Sequence, residues 1–267
     1  MQFAMIDAFA TKPFTGNPAA VVLVDRALDD NAMQAIAMEF NQSETAYVLP
    51  RADGRFDLRW FTPTREVPLC GHATLASAHA IGREWKLCSI DEPIRFVTRQ
   101  SGELVCSLKV DGPIAMDFPA TPPTPVTLPE RAAEVLGVAG PATCVGSTAM
   151  NLTLVLPSEA QVRAAKPDLR TLAGWHSTGV TIAARSAGND ADFVSRFFAP
   201  QSGIDEDPVT GSAHCTLAVY WAARLGKTSF RARQLSRRGG ELGVTLRGDR
   251  VELRGDAVTT MQGRLKL

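Results

Sequence analysis

The sequence has no G-x-G-x-x-G turn following a strand and no G-x-x-x-x-G-K-[ST] loop. The backbone cradles that hold dinucleotides and nucleoside triphosphates are therefore missing, and no cofactor is expected. No G-x-S-x-G elbow is present, which excludes a serine hydrolase of that type. The four histidines form no H-x-x-x-H pair and the carboxylates lack ligand spacing, so the sequence predicts no metal site. The five cysteines include no C-x-x-C pair, and an odd number fits free thiols in a reducing compartment better than a disulfide framework. Charge is balanced, with 28 basic and 28 acidic residues. That removes the basic footprint of a nucleic-acid or anionic-membrane surface. Arg231, Arg233, Arg237 and Arg238 cluster near a turn and read as a solvated face. No apolar run approaches the roughly 20 residues of a membrane span. Met1 to Phe9 carries Asp7 and lacks the charged and apolar regions of a signal peptide, so a cytoplasmic protein is expected.

What is present is an ordinary core-forming composition, 45% hydrophobic and 21% charged, in 267 residues. That length allows one large domain or two smaller ones. One stretch occurs twice. Arg59-Trp60-Phe61-Thr62-Pro63 is followed by Cys70-Gly71-His72-Ala73-Thr74, and Arg196-Phe197-Phe198-Ala199-Pro200 by Thr210-Gly211-Ser212-Ala213-His214. Each copy reads as strand, loop, glycine turn and a helix of small apolar residues. Two further blocks match in the same order. Ser101-Gly102-Glu103-Leu104 pairs with Gly239-Gly240-Glu241-Leu242, and Gly16-Asn17-Pro18-Ala19 with Gly146-Ser147-Thr148-Ala149. The offset stays between 130 (Gly16 to Gly146) and 140 (Gly71 to Gly211). Such a long period is a duplicated domain rather than a solenoid, with the cleft between halves as the natural ligand site.

Local signals fill in the halves. Ala19 to Val24 is a continuous apolar run and reads as a buried strand; Asp29 to Asn31 offers caps for a helix running to about Asn41. Ser43 to Leu49 and Arg55 to Phe61 read as strands, and Gly71 to Arg83 as a helix. That helix has Ala73, Ala76, Ser77, Ala78 and Ala80 and little polar face, so it must be buried on all sides. A curved, mostly antiparallel sheet wrapped around it is expected, and the same around Ala213 to Leu225. Ile94 to Thr98 and Leu104 to Val110 form a hairpin about Ser101-Gly102. The prolines between Pro119 and Pro129 mark a stiff linker. The expected halves are therefore 1–118 and 119–258, with 259–267 returning to complete the first sheet.

Each glycine-opened helix leaves first-turn N–H groups that attract an anion, so Gly71, Ala73, Gly211 and Ala213 are expected to bind a small carboxylate substrate. Glu44 lies between a helix and a strand. A partly desolvated carboxylate there suits a general base that later returns its proton, although a surface or capping role fits position alone. His72, near a helix start, is expected to stay neutral and to hold or polarise a substrate, or else to cap the helix. Asp207 caps or orients a substrate amine, and Ser212 can donate to a carboxylate. Cys70 directly precedes Gly71, where a thiol can be activated. The matching stretch of the second half has Pro208 and Val209, which argues against a two-thiol racemase. His79 reads as a core histidine.

Four blocks together resemble the phenazine-biosynthesis isomerase family, the PhzF-like proteins. They are Gly16-Asn17-Pro18-Ala19-Ala20-Val21, Gln42-Ser43-Glu44-Thr45-Ala46, Glu66-Val67-Pro68-Leu69-Cys70-Gly71-His72-Ala73-Thr74 and Glu206-Asp207-Pro208-Val209-Thr210-Gly211-Ser212-Ala213-His214. The Arg238-Gly239-Gly240 turn is a fifth. The resemblance implies the diaminopimelate-epimerase-like α+β fold, two pseudo-symmetric halves with the site between them. It also implies a homodimer, and Glu44 as catalytic acid/base with His72, Asp207 and Ser212 in support. The expected activity is a cofactor-independent isomerisation that moves a proton. The rival readings are a racemase or epimerase using Cys70, and a non-catalytic small-molecule-binding protein.

Overall fold

The computed structural model describes residues 1–138, 143–147, 151–175 and 177–266. Thr148 and Ala149 of the third repeated block, and the Cys144 side chain, lie outside the described residues. Contacts divide the chain into two units. Unit 1 is Met1–Asp117 with Arg254–Leu267, and unit 2 is Phe118–Leu253.

Unit 1 runs β1 (Gln2–Ala8), β2 (Asn17–Leu23), α1 (Asp30–Phe40), β3 (Glu44–Pro50), β4 (Phe56–Phe61), β5 (Glu66–Val67), α2 (Gly71–His79), β6 (Ile94–Thr98), β7 (Glu103–Ser107) and β8 (Ile114–Pro119). β2 pairs antiparallel with β1 and parallel with β3; β4 is antiparallel to β3 and β5 and parallel to β6; β6 and β7 form a hairpin. In unit 2 the strands are β9 (Thr143–Ser147), β10 (Asn151–Val155), β11 (Gly179–Arg185), β12 (Phe193–Ala199), β13 (Ile204–Asp207), β14 (Ser229–Gln234), β15 (Gly240–Arg247) and β16 (Arg250–Gly255). Its helices are α3 (Ala132–Val135), α4 (Glu159–Ala164), α5 (Leu169–Leu172) and α6 (Gly211–Leu225). Pairing repeats with the same signs: β9/β10 antiparallel, β10/β11 parallel, β11/β12 antiparallel, β12/β14 parallel, β14/β15 antiparallel. The duplication is thus written in hydrogen-bond pattern as well as sequence. β17 (Ala257–Arg264) then pairs antiparallel along β1 within unit 1.

The apolar runs have a physical cause. On one face of the unit 1 sheet, α1 packs Met33, Ile36 and Ala37 against Val22, Tyr47 and Phe61. On the other lies α2, in which every residue from His72 to His79 is buried. A strand covered on both faces reads as continuous hydrophobicity, as β2 does. Unit 2 repeats the arrangement, with Val162 and Leu172 of α4 and α5 against Leu152, Leu154, Val180 and Ile182. The hydroxyls inside α2 find partners in their own helix, Thr74 donating to the Cys70 carbonyl and Ser77 to the Ala73 carbonyl.

Three local differences from the sequence reading stand out. α2 stops at His79 and the chain continues as a π-helical turn over Ala80–Glu84. There His79, although only 5% exposed, belongs to a polar cluster: its Nε2 lies 3.3 Å from Glu84 and 3.1 Å from Thr259 of β17. β7 ends at Ser107 rather than Val110, whose side chain is 64% exposed.

The turn before β2 depends on Gly16. Its φ is +65°, and a Cβ would fall 2.2 Å from the Ala8 carbonyl oxygen. Gly54 has φ +79° with nothing within 4 Å. Both alanine variants carry the left-handed penalty of about 1–2 kcal/mol, and Gly16→Ala adds a backbone overlap worth about 1–3 kcal/mol. Urea unfolding is expected to show Gly16→Ala clearly less stable than Gly54→Ala; equal losses would show that the turn yields without cost.

Candidate active site

The first cluster is in unit 1. α1 ends at Asn41 in a left-handed conformation, φ 49°, its N–H bonded to the Ala37 carbonyl. That reversal turns the chain straight into β3 and places Ser43 and Glu44 at the strand's start. Four segments away, α2 begins at Gly71 with Cys70 as its N-cap residue. Between them a bidentate ion pair braces the entry: Arg59 of β4 donates to Glu66 of β5 twice, both at 2.7 Å, and lies over the Phe61 ring. Arg99 joins Glu66 at 3.0 Å. Arg59 in turn holds the Glu66 carboxyl below its usual range. Sequence quotation of Arg59 and Arg196 did not reveal this brace, because its acid stands several residues away across a loop.

Everything in this cluster meets at His72. Its Nε2 is 3.3 Å from a Glu44 carboxylate oxygen and 3.4 Å from the Ser43 hydroxyl. Its Nδ1 is 3.1 Å from the Asn17 amide nitrogen and 3.5 Å from the Cys70 sulfur. With Asn17 donating, Nδ1 is the acceptor, so the ring proton sits on Nε2, where the Ser43 hydroxyl is its hydrogen-bond partner and the Glu44 carboxylate lies alongside. Burial pushes the His72 pKa down to about 3, which keeps the ring neutral near pH 7. The Glu44 side chain is 13% exposed. The donor atoms of Glu44, Cys70 and His72 lie within 4.8 Å of one another, a grouping able to hold a cation. A search by sequence spacing passes over it, because two of its members are adjacent to a turn and the third comes from another strand.

The second cluster is in unit 2. Asp207 ends β13 and is buried; its carboxylate accepts the Thr210 hydroxyl, 2.5 Å away. Gln234 of β14 ties this corner, donating to the Asp207 carbonyl at 2.7 Å and accepting the Thr210 N–H at 2.9 Å. Ser212, exposed, is 3.5 Å from the Asn151 amide nitrogen. Buried His214, one turn along α6, has Nδ1 2.8 Å from the Thr210 carbonyl and a pKa lowered by burial to about 4. The same ion-pair brace recurs, Arg196 with Glu206 at 2.6 and 2.9 Å and over the Phe198 ring. Neither Cys70 nor Thr210 caps its helix with its side chain.

Aligned, the two halves are alike in frame and unlike in chemistry. An asparagine opens β2 and another opens β10, Asn17 and Asn151, and each touches the second residue of its central helix, His72 or Ser212, in registers two residues apart: Glu44 pairs with Ala19, and Gly179 with Asn151 itself. Glu44 opens β3 where Gly179 opens β11, and Cys70 precedes α2 where Thr210 precedes α6. Gly179 has no room for an acid, since a Cβ there would meet the Phe197 ring at 2.1 Å. Asn17, Ser43, Asn151, Thr210 and Gln234 were not singled out by sequence reasoning. The asparagines had a signal, a strand-opening amide present in each half.

An α+β chain of two such units, each with a mixed sheet around a central helix, is an epimerase-like fold, and the chain is an isomerase by the company it keeps. A family model described as phenazine biosynthesis-like protein matches residues 6–263. A Pseudomonas aeruginosa protein described as an uncharacterized isomerase is 47% identical over 270 residues, covering 100% of this chain and 99% of its own. A crystal structure of a PhzF-family protein from Enterococcus faecalis is 36% identical, with a TM-score of 0.90, covering 100% of this chain and 99% of that one. A Pseudomonas aeruginosa structure described as a predicted epimerase, 23% identical over 99% of this chain and 98% of its own, shares the fold with a TM-score of 0.74. The chain belongs to the phenazine biosynthesis-like, PhzC-PhzF family. Among the described residues, no helix is long and apolar enough to cross a membrane.

The buried histidines generate a pH dependence of stability. Unfolded, each takes a proton below about pH 6.5; folded, His72 waits until about 3 and His214 until about 4. The unfolded state therefore binds more protons between these limits. Stability is complete above pH 6.5 and falls as the pH is lowered, by up to about 1.4 kcal/mol per pH unit for each histidine. Urea midpoints should drop between pH 6.5 and 5, above the carboxylate range, and His72→Gln should flatten that limb. A limb equally steep in the variant overturns the assignment.

Proposed function

We propose that the protein is a cofactor-independent isomerase that moves a proton between two carbons of a small carboxylate substrate, with Glu44 as the acid/base. The carrying observation is the one-sided chemistry of the duplicated frame. Unit 1 has Glu44 against a neutral His72 at 3.3 Å, whereas the same places in unit 2 are Gly179 and Ser212. Racemisation by two bases needs one on each face of the carbon. A single base that removes a proton and returns it at another position needs only one face, and one carboxylate with one fixed donor meets that need. The neutral His72 ring, held by Asn17 and Ser43, lies beside the carboxylate and fixes one wall of its surroundings. The first-turn N–H groups around Gly71 and Ala73 supply partial positive charge for a substrate carboxylate or for enolate-like charge as it develops. Asp207 and Ser212, with the helix start at Gly211 and Ala213, belong to the proposal as substrate-binding groups, supported by the family blocks that contain them. A homodimer is the working assembly, supported by the family resemblance, and a reducing compartment fits the cysteine pattern.

Glu44→Gln keeps the shape and loses the base. It is expected to lower turnover, and deuterium uptake from D₂O into substrate, by at least about 10²-fold. Near-normal uptake in a folded variant removes Glu44 from the mechanism. The thiol reading is separated by Cys70→Ser. Turnover within about tenfold of the parent keeps Cys70 out of the proton transfer, whereas a loss matching that of Glu44→Gln moves the chemistry to the thiol.

A further inference from the structure

Unit 1 brings a carboxylate, a thiol and an imidazole to one point. The carboxylate is Glu44, opening β3; the thiol is Cys70, before α2; the imidazole is His72, in its first turn. Their donor atoms lie within 4.8 Å of one another. The carboxylate oxygen is 3.3 Å from Nε2, and the sulfur is 4.0 Å from the same nitrogen. Tetrahedral zinc with bonds of about 2.0–2.3 Å sets its ligand atoms about 3.3–3.7 Å apart. The carboxylate–imidazole edge already has that length; the sulfur, 3.5 Å from Nδ1 and 4.0 Å from Nε2, lies beside the ring and has to swing toward Nε2 by rotation about the Cys70 Cα–Cβ bond. The surroundings are dry, with Cys70 7% and His72 5% exposed. Rotating the Asn17 amide by half a turn sets its carbonyl oxygen against Nδ1, now 3.1 Å from the amide nitrogen. Nδ1 would then carry the ring proton, free Nε2 as a ligand, and give the histidine the outer hydrogen bond typical of metal-bound imidazole.

We propose that Glu44, Cys70 and His72 form a three-ligand site for a thiophilic divalent cation of the zinc type, and that its occupancy switches the isomerase off. On binding, the Cys70 thiol releases its proton to solvent, and the sulfur, Nε2 and a Glu44 oxygen each give a lone pair to the cation. Solvent takes the fourth position. The inhibitory half rests on the reading of Glu44 as the base: a carboxylate lone pair engaged by the cation is withdrawn from the substrate proton. The donor set selects zinc, cobalt or cadmium over magnesium and calcium, which prefer an all-oxygen shell.

The first test is optical. The full-length protein, freed of metal with a chelator, is titrated with Co²⁺. One equivalent should produce the near-ultraviolet thiolate-to-cobalt charge-transfer band with the visible bands of tetrahedral Co²⁺, and Zn²⁺ should bleach both while Mg²⁺ should not. Cys70→Ser, a near-isosteric change checked for folding by circular dichroism, should abolish the charge-transfer band and weaken Zn²⁺ binding by at least about tenfold. No band in the parent, or binding unchanged in Cys70→Ser, overturns the site. The second test measures deuterium uptake with and without Zn²⁺. Suppression that a chelator reverses, and that needs at least about tenfold more Zn²⁺ in Cys70→Ser, supports the switch. A protein that shows the band yet exchanges at full rate keeps the site, loses the switch and removes Glu44 from the role of base.

Discussion

A helix of small residues governs each half of this chain, enclosed along nearly its whole length in α2 and through its central turns in α6. All of His72 to His79 is buried in α2, and α6 buries Ala213 to Ala218 without a break. A surface helix can be held by one stripe, but a helix buried all round has to be enclosed. Small side chains let the strands approach closely, and the hydroxyls of Thr74 and Ser77 turn back onto their own helix, so neither hydroxyl is stranded. Enclosure also accounts for the uninterrupted apolar strands. The residue at the start of such a helix is held as firmly as the core behind it, which places the His72 ring by packing.

Two further constraints turn that frame into a site. The Arg59–Glu66 and Arg196–Glu206 ion pairs span the loops that lead into the central helices, each with its guanidinium on an aromatic ring. Bidentate pairing fixes orientation as well as distance. The strand-opening asparagines then define what the second helical residue presents: Asn17 donates to Nδ1 and leaves the Nε2–H on the side of Ser43, with Glu44 alongside. Duplication supplied two equal frames, and the chemistry differs between them. Phe197 lies where an acid in unit 2 would need its Cβ, so the second half could regain a base at Gly179 only by moving that ring.

The site's neutrality has a stability cost. Holding His72 and His214 uncharged in the interior makes the fold sensitive to acid. The same burial gives a neutral donor beside a carboxylate rather than an imidazolium locked in an ion pair. A carboxylate facing an imidazolium would be held ionised and poorly basic.

Much of the frame was legible in the residues. The repeated strand, glycine and small-residue helix pointed to duplication, because a period in sequence becomes a period in hydrogen bonding. Ile94–Thr98 was readable as one arm of a hairpin about Ser101-Gly102, and the cap of α1 as lying within Asp29 to Asn31, of which the fold uses Asp29. Glu44, Cys70 and His72 were legible one by one, as a strand-opening acid and two residues at a helix start. Their meeting was not, nor was the part played by Asn17, Ser43 and Gln234. Spacing along the chain says nothing about donors brought together from separate strands and a helix. The π-helical turn after His79 and the Glu84–Thr259 bond were hidden for the same reason, since their partners are far apart in sequence. The sequence by itself determined the periodicity, the buried faces and the residue types available for chemistry, because those are local properties of side chains. Only the tertiary structure decided which ring nitrogen accepts from Asn17, which carboxylate lies beside the imidazole and which half brings acid, thiol and imidazole together. Those depend on ångström distances between elements that only packing sets.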